Sequence, residues 1–244
     1  MLSKSRLKYI QTLGQKKFRL QEGCFLAEGP KLVAELLAEK RAAVLEIFAL
    51  EEWITSNESL IGATNCSKVS EQELEKISQL NTPNLVVALV KQFGDAAPDP
   101  VEGLILALDN IQDPGNLGTI IRIADWFGIK QIICSEGTAD CYNPKVVQAT
   151  MGSIARVAVF YTDLATWLSA QASTGIYAAV LEGKDIRKMD PLKEGILLIG
   201  NESKGISPEI LALANHRITI PQKGKAESLN AAVAAGIILS HLVS

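Results

Sequence analysis

The chain has 244 residues, of which 48% are hydrophobic and 21% are charged; this balance supports a substantial buried core and excludes a disordered protein. No apolar run approaches the roughly 20 residues of a membrane-spanning helix, and the N-terminus is charged where a signal peptide would be apolar, so we predict a cytoplasmic protein with no membrane partner. The four scattered cysteines and two histidines exclude a disulfide framework and predict neither a metal site nor a Ser-His or Cys-His nucleophile.

The first residues form a basic arm, although the net charge of −3 does not suggest a nucleic-acid binder. No acid precedes Glu22, and the arm carries Lys4, Arg6, Lys8, Lys16, Lys17 and Arg19. Such an arm on an acidic body is typical of a phosphate-contacting surface. A solvated helix face is the alternative that composition leaves open.

A small α/β unit is predicted before residue 92. It comprises short apolar runs at 25–27, 44–50 and 85–90 and a helix over 30–40 with apolar residues at helical spacing. The stretch 92–100 contains Gly94, Pro98 and Pro100 and has the composition of a linker. We therefore predict two domains, residues 1–95 and 102–244.

The second domain alternates strands with helices. Apolar runs that predict buried strands lie at 104–108, 132–133, 157–160, 176–181, 196–199 and 218–220. Helices are predicted at 117–127, 144–151, 163–172, 208–214 and 228–242, with Ser207 as the capping hydroxyl of the fourth. This alternation predicts a parallel sheet covered on both faces, with ligands beyond the carboxyl ends of its strands.

The first of three polar loops follows the run 104–108 and leads to Arg122. It contains neither G-x-G-x-x-G nor G-x-x-x-x-G-K-[ST], which disfavours an ordinary nucleotide-binding α/β enzyme. Arg122 has apolar neighbours, so its guanidinium needs a partner, an anion or a route to water. Asn116 is a functional candidate, although taken alone it suits a helix N-cap better.

The other two polar loops follow the runs 196–199 and 218–220. One spans Gly200–Ile206 and contains Glu202, and the other spans Pro221–Asn230. Ser228 is a functional candidate whose alternative is again a helix cap. The closing helix begins with small residues, so another chain segment or another subunit must pack closely against it.

Together, in this order, the three loops resemble the motifs of the SpoU/TrmH branch of the SPOUT RNA methyltransferases. The first motif, N-x-x-x-x-x-N-x-G-x-x-x-R, is matched by Asn110, Asn116, Gly118 and Arg122. The second is matched by Gly200, Glu202 and Gly205, and the third by Ile220, Pro221, Gly224, Ser228, Leu229 and Asn230. The sequence departs from the family pattern at Gln222, where methionine is usual, at Gln148 and at Ala231-Ala232.

The resemblance implies a fold, a reaction and a cofactor. It implies a parallel-sheet SPOUT domain with a trefoil knot, and transfer of a methyl group from S-adenosylmethionine to a ribose 2′-hydroxyl of rRNA or tRNA. The first domain resembles the α/β, ribosomal-protein-like substrate-binding domain of the family, which favours RNA contacts at Lys8, Lys16 and Arg19. The family also implies a homodimer with the closing helix near the interface.

The resemblance also implies residue roles. Gly200, Ile220 and Leu229 would bind the cofactor, and Arg122 would activate the ribose oxygen as a proton acceptor or by stabilising negative charge. Asn116, Ser228 and Asn230 would orient Arg122 and the ribose, and Glu202 would order the site. Lys223 and Lys225 would contact RNA phosphates, with solvated loop lysines as the alternative. A non-catalytic RNA-binding or assembly protein and a base methyltransferase are the competing functions.

Overall fold

The computed structural model describes residues 2–94, 98, 103–171 and 173–243. The chain forms two compact units: the first comprises Met1–Gly94 with Asp140–Arg156, and the second comprises Asp95–Ala139 with Val157–Ser244. Residues 95–97, 99 and 100 of the predicted linker lie outside the described residues. The predicted domain limits, 1–95 and 102–244, differ from this division in where they assign residues 140–156.

The N-terminal part of the first unit is an α/β structure. Its helices are α1 (Lys4–Thr12), α2 (Lys16–Glu22), α3 (Pro30–Glu39), α4 (Glu51–Ser56), α5 (Glu58–Ile61) and α6 (Glu71–Ile77). Its strands are β1 (Cys24–Glu28), β2 (Val44–Ala49), β3 (Cys66–Lys68) and β4 (Val86–Lys91), in the sheet order β1-β4-β2-β3. The predicted strands and the helix over 30–40 are confirmed within about two residues at each end.

The remaining elements follow the predicted alternation. They are β5 (Leu104–Asp109), α7 (Pro114–Trp126), β6 (Gln131–Ser135), α8 (Pro144–Thr150), β7 (Ala158–Thr162), α9 (Leu164–Ser169), β8 (Ile176–Asp185), β9 (Gly195–Gly200), α10 (Pro208–Leu211), β10 (His216–Thr219) and α11 (Ala231–Leu242). Short 3-10 turns lie at Arg41–Ala43, Ser153–Ala155 and Ile186–Lys188. Ser207 precedes α10, but its hydroxyl makes no cap hydrogen bond, so the predicted capping role is wrong.

Helix α8 belongs to the first unit. Val147 of α8 lies in the same hydrophobic core as Phe25 and Leu36, together with Ile154 from the turn that follows the helix. The side-chain amide of Gln148 also donates to the carbonyl oxygen of Glu28 at 2.7 Å. The apolar face of this segment is therefore buried against β1 and α3, which explains why residues 140–156 group with the N-terminal residues.

Arg19 is buried in the first unit, with only 2% of its side chain exposed. Its Nη2 donates to Asp140 Oδ2 at 2.6 Å, and its Nη1 donates to the carbonyl oxygens of Leu13 and Gly14 at 2.9 and 2.8 Å. The predicted RNA contact at Arg19 is therefore wrong, because the guanidinium is turned inward and makes four hydrogen bonds to protein acceptors. Lys8 and Lys16 are exposed, and RNA contacts there stay a prediction.

The sheet of the second unit has the order β10-β8-β9-β5-β6-β7, and all of its strand pairs are parallel. Ile105 and Ala107 of β5 lie in a core with residues of α9 and α10, whereas Leu106 and Leu108 point to the opposite face and are equally buried. The predicted parallel sheet covered on both faces is thus confirmed. Strand β5 lies between β6 and β9, and such a reversal of strand order is where α/β sheets open a crevice for ligands.

Helix α11 packs against α7. A Cβ atom added to Gly236 of α11 would lie 3.5 Å from Ile123 Cδ1 of α7, which is ordinary van der Waals contact. The predicted close neighbour of the small-residue helix is therefore a segment of the same chain.

Two further expectations concern the whole chain. Among the described residues, no helix combines the length and the apolar character needed to cross a bilayer. The trefoil knot stays a prediction of the resemblance.

Candidate active site

The three polar loops leave the carboxyl ends of β5, β9 and β10. The first loop (residues 110–113) leads into α7, the second (201–207) leads into α10, and the third (220–230) leads into α11. β5 and β9 are neighbours, with Asp109 opposite Gly200 in the last register position. The first two loops therefore begin side by side although about 90 residues separate them in sequence.

The first and second loops are tied together at their bases. Asp109 is 1% exposed; its Oδ1 accepts from the Asn110 side-chain amide and its Oδ2 accepts from the Ser207 backbone N–H, both at 2.7 Å. The Asn201 side-chain amide donates to the Asn110 carbonyl oxygen at 2.8 Å. Asn110 has φ 56°, a left-handed conformation that asparagine tolerates better than most residues. Sequence reasoning did not select Asp109 or Asn201; their position directly after buried strands was the available signal.

The second loop closes on itself. Backbone hydrogen bonds of 3.0 and 2.9 Å join Asn201 and Gly205 in both directions. A Cβ atom at Gly200 would lie 2.4 Å from the carbonyl carbon of Gly205, and Gly205 has φ 68°. Glycine is therefore required at 200 by the turn of its own loop, in addition to any role in binding a cofactor.

Asn116, in the first turn of α7 after the first loop, joins the second and third loops. Its side-chain nitrogen donates to Glu202 of the second loop, and its side-chain oxygen accepts from the Asn230 amide of the third loop at 2.8 Å. The helix cap of α7 is Asp113, whose Oδ1 accepts from the Asn116 backbone N–H at 2.8 Å. The alternative that Asn116 serves as an N-cap is thus wrong, and its amide instead connects α7 to the second and third loops.

Asn230 has two functions in the structure. While its amide nitrogen contacts Asn116, its Oδ1 accepts from the backbone N–H groups of Ala232 and Val233 at 3.0 and 3.2 Å. It is therefore the N-cap of α11. The predicted helix start at Ser228 is wrong, because the helix begins at Ala231 and Ser228 is an exposed residue of the third loop.

A cavity of about 790 Å³ lies within the second unit, bordered by the second and third loops. Its walls come from four places: Ala179–Leu181 of β8, residues 199–206, residues 218–224 with 226–229, and the α11 residues Ala231, Ala234 and Ile238; Leu211 completes them. The predicted cofactor residues Gly200, Ile220 and Leu229 all line it. The volume lies within the range of about 300–1,000 Å³ typical of small-molecule sites.

Several predicted residues border the cavity and others do not. Glu202, Ser228 and Lys223 line it, whereas Lys225 is exposed on the third loop outside the lining. Sequence reasoning missed the contribution of β8, because hydrophobic periodicity does not show that β8 lies between β9 and β10.

Arg122 lies on α7, six residues and therefore about 9 Å along the helix axis from Asn116. It is exposed, and no hydrogen bond or ion pair joins its guanidinium to another residue that the structure describes. The structure thus brings Asn116, Glu202 and Asn230 together by hydrogen bonds and leaves Arg122 as a cation available to a ligand.

A metal centre finds no support in the described part of the chain. No group of three or more His, Cys, Asp or Glu side chains in it could hold a metal ion.

Comparison with protein families agrees with this geometry. The model of the SpoU rRNA Methylase family matches residues 103–240, more than half of the chain, and that of the MRM3-like substrate binding domain matches residues 4–88.

Two curated relatives are similar over almost the full chain. The 23S rRNA (guanosine(2553)-2′-O)-methyltransferase RlmP of Bacillus subtilis (strain 168) is 31% identical over 97% of this chain and 95% of its own length. The 23S rRNA (uridine(2479)-2′-O)-methyltransferase of Streptomyces viridochromogenes is 29% identical over 95% of this chain and 86% of its own length.

A solved structure shares the fold. The SpoU methyltransferase AviRb from Streptomyces viridochromogenes, determined in complex with the cofactor AdoMet, superposes with a TM-score of 0.86 at 28% identity, over 99% of this chain and 97% of that one. With a matching family model over most of the second unit and relatives of this similarity over the full length, the chain belongs to the SpoU rRNA methylase family.

Proposed function

We propose that this protein transfers a methyl group from S-adenosylmethionine to a ribose 2′-hydroxyl of ribosomal RNA. The observation that carries the proposal is the position of Asn116, which joins Glu202 and Asn230 beside the cavity. One amide thereby holds the start of α7 and two loops from distant parts of the chain in a single arrangement. Preorganised polar groups of this kind supply much of the rate acceleration of enzymes.

The cavity suits S-adenosylmethionine in size and in chemistry. Its wall combines apolar residues such as Leu181 and Ile238 with the predicted cofactor residues Gly200, Ile220 and Leu229. Apolar surface suits the adenine, and backbone donors and acceptors at strand ends suit its polar edge. When bound, the cofactor supplies an electrophilic methyl group on a positively charged sulfur.

Arg122 is the residue to which we assign activation of the ribose oxygen. A guanidinium carries N–H donors and no acceptor atom, so it is a poor proton acceptor. It is well suited to stabilising the negative charge that develops on the oxygen as the O–H bond breaks. Arg122 is exposed and pairs with no other residue that the structure describes, as suits a cation that pairs with the substrate. Ser228 and Asn230 would position the ribose, and Glu202 would order Asn116.

The substrate is assigned to ribosomal RNA because both curated relatives are named for 23S rRNA. One name specifies guanosine and the other uridine, so a shared architecture accommodates different bases. Lys8 and Lys16 of the first unit, and Lys223 and Lys225 of the third loop, are exposed and would contact RNA phosphates. We further infer a cytoplasmic location, where bacteria assemble 23S rRNA.

A homodimer is part of the proposal. Trp126 at the end of α7 is 84% exposed and Val233 of α11 is 50% exposed, although these two helices otherwise bury apolar residues against each other. Large exposed apolar side chains of this kind are typical of subunit contacts. Trp126→Lys should therefore shift the protein towards monomer in sedimentation equilibrium, whereas Leu20→Lys, at an exposed apolar position of the first unit, should not. A wild-type monomer, or a variant with unchanged mass, would reject the dimer.

The reaction is tested by methyl transfer to RNA. The purified protein is incubated with methyl-labelled S-adenosylmethionine and separated rRNA and tRNA fractions, and the products are digested to nucleosides for mass spectrometry. We expect one labelled 2′-O-methylnucleoside from rRNA. A label on a nucleobase would identify a base methyltransferase, and no incorporation despite RNA binding would identify a non-catalytic RNA-binding protein.

A further inference from the structure

The third loop forms much of the cavity wall without regular secondary structure. Every residue from Gln222 to Asn230 is exposed, and the loop supplies wall residues from Pro221 to Leu229. No backbone–backbone hydrogen bond connects two residues of 220–229 in the structure as described. The loop must therefore be held in shape by side chains.

Gln222 provides such a connection. Its Nε2 donates to the carbonyl oxygens of Gly224 and Ala226, at 3.0 and 2.6 Å. Because both partners are acceptors, the nitrogen and not the oxygen of the amide must face them. One side chain thus closes the turn 222–226.

The far end of the loop has an independent anchor. Asn230 donates to Asn116 at 2.8 Å and caps α11. The wall of the cavity and the polar network that joins the three loops are consequently held by different side chains.

We propose that Gln222 is a positioning residue that keeps the third loop shaped as the wall of the cofactor cavity. This inference rests on the proposed function. The family pattern has methionine at this position, and a thioether cannot donate a hydrogen bond. The turn is therefore closed by a residue at which this chain departs from the family pattern. It determines cofactor affinity more than turnover, because the Asn230 anchor does not depend on it.

The first test compares cofactor affinity with turnover. Gln222→Met removes both donors at similar volume, and Gln222→Glu sets a carboxylate against two carbonyl oxygens. Two exposed hydrogen bonds of ordinary strength correspond to an affinity loss of about tenfold. In calorimetric titrations without RNA, we expect Gln222→Met to raise the Kd for S-adenosylmethionine about tenfold and Gln222→Glu to raise it further. At saturating cofactor, kcat should fall by less than about twofold.

The matched control is Gln11→Met, which removes an exposed amide-to-carbonyl hydrogen bond, 2.7 Å to Lys76, in the first unit. It should leave the cofactor Kd unchanged. Equal Kd values for Gln222→Met and the wild type would overturn the inference, as would a loss confined to kcat.

The second test does not need the cofactor. Trypsin cuts after lysine, and Lys223 and Lys225 both lie in the closed turn. Without cofactor, Gln222→Met should be cleaved at these lysines about tenfold faster than the wild type, because local opening becomes more frequent. Cleavage at the exposed Lys193, in the same unit, should be unchanged.

The two tests separate the possible failures. If wild-type protein does not bind S-adenosylmethionine, the proposed function fails while the proteolysis still reports on the turn. If it binds and the variant is cleaved no faster, Gln222 does not hold the loop.

Discussion

The basic N-terminal segment and the three-loop site make opposite use of arginine. In the first unit, Arg19 is buried, and the carboxylate of Asp140 and two backbone carbonyl groups occupy its guanidinium. In the second unit, Arg122 is exposed on α7 and is joined to no other described residue. The neighbouring residues in sequence suggest the opposite exposure for these two side chains, since Arg19 lies in a basic arm and Arg122 lies among apolar residues.

The difference shows that the surroundings of a cation in sequence do not determine its availability to a ligand. A guanidinium has five donors, and in the first unit the turn after α1 together with Asp140 supplies enough acceptors to pair it internally. In the second unit, Asn116 pairs with Glu202 and Asn230, whereas the guanidinium of Arg122 is joined to no other residue that the structure describes. Three changes test this contrast.

The largest effect is expected at Arg19. Arg19→Met leaves Asp140 and two carbonyl groups without their donors, and breaking a buried pair in this way costs about 3 to 5 kcal/mol. The melting temperature measured by circular dichroism should fall on the order of 10 °C. Lys17→Met, an exposed neighbour on α2, should change it little, and Arg19→Met/Asp140→Leu should recover part of the loss. An unchanged melting temperature would mean that Arg19 is not a structural residue.

The second largest effect is expected on the turnover of a variant at Arg122. Arg122→Ala should lower kcat by about 10²- to 10³-fold, because a positioned cation that stabilises developing charge is lost. The cofactor Kd and the melting temperature should stay close to wild-type values, since no hydrogen bond or ion pair joins Arg122 to another described residue. Lys193→Ala, which removes an exposed positive charge from the same unit, should retain full activity. Normal methylation by Arg122→Ala would contradict the proposed role.

The smallest expected effect is on RNA binding, and it shows which of two lysine pairs contacts phosphates. Lys8→Gln/Lys16→Gln and Lys223→Gln/Lys225→Gln each remove two charges that we expect to contact phosphates. Each pair should weaken RNA binding a few-fold and flatten the slope of log affinity against log salt by about two. Fluorescence anisotropy over a salt series measures both quantities. A double variant with the wild-type slope identifies a pair that contacts only solvent.

The sequence predicted most of the fold because hydrophobic runs determine where strands lie. Each predicted run of the second domain corresponds to a strand, and β5 and β9 agree within one residue at each end. The unit to which α8 belongs was not predictable, because helical periodicity marks an apolar face without identifying the surface that covers it. Similarly, both Asp113 and Asn116 suit the start of α7, and only the neighbouring loops show which of them is the cap.

The site was predictable where its residues lie in the three polar loops, because each loop directly follows a predicted strand. Asp109 and Asn201 were missed because their importance comes from contacts across the sheet, which depend on β5 and β9 being neighbours. The contribution of β8 to the cavity was missed for the same reason. Arg19 was misassigned because its acceptor, Asp140, lies far away in sequence.

The distances along the chain that Asn116 spans affect how the protein is made. Its partners Glu202 and Asn230 lie 86 and 114 residues later. At about 5–20 residues per second of synthesis, Asn230 follows Asn116 from the ribosome on the order of ten seconds later. During that time a nascent chain can already contain a substrate-binding unit, but it has no assembled site. The protein therefore cannot begin to modify RNA until the ribosome has passed residue 230.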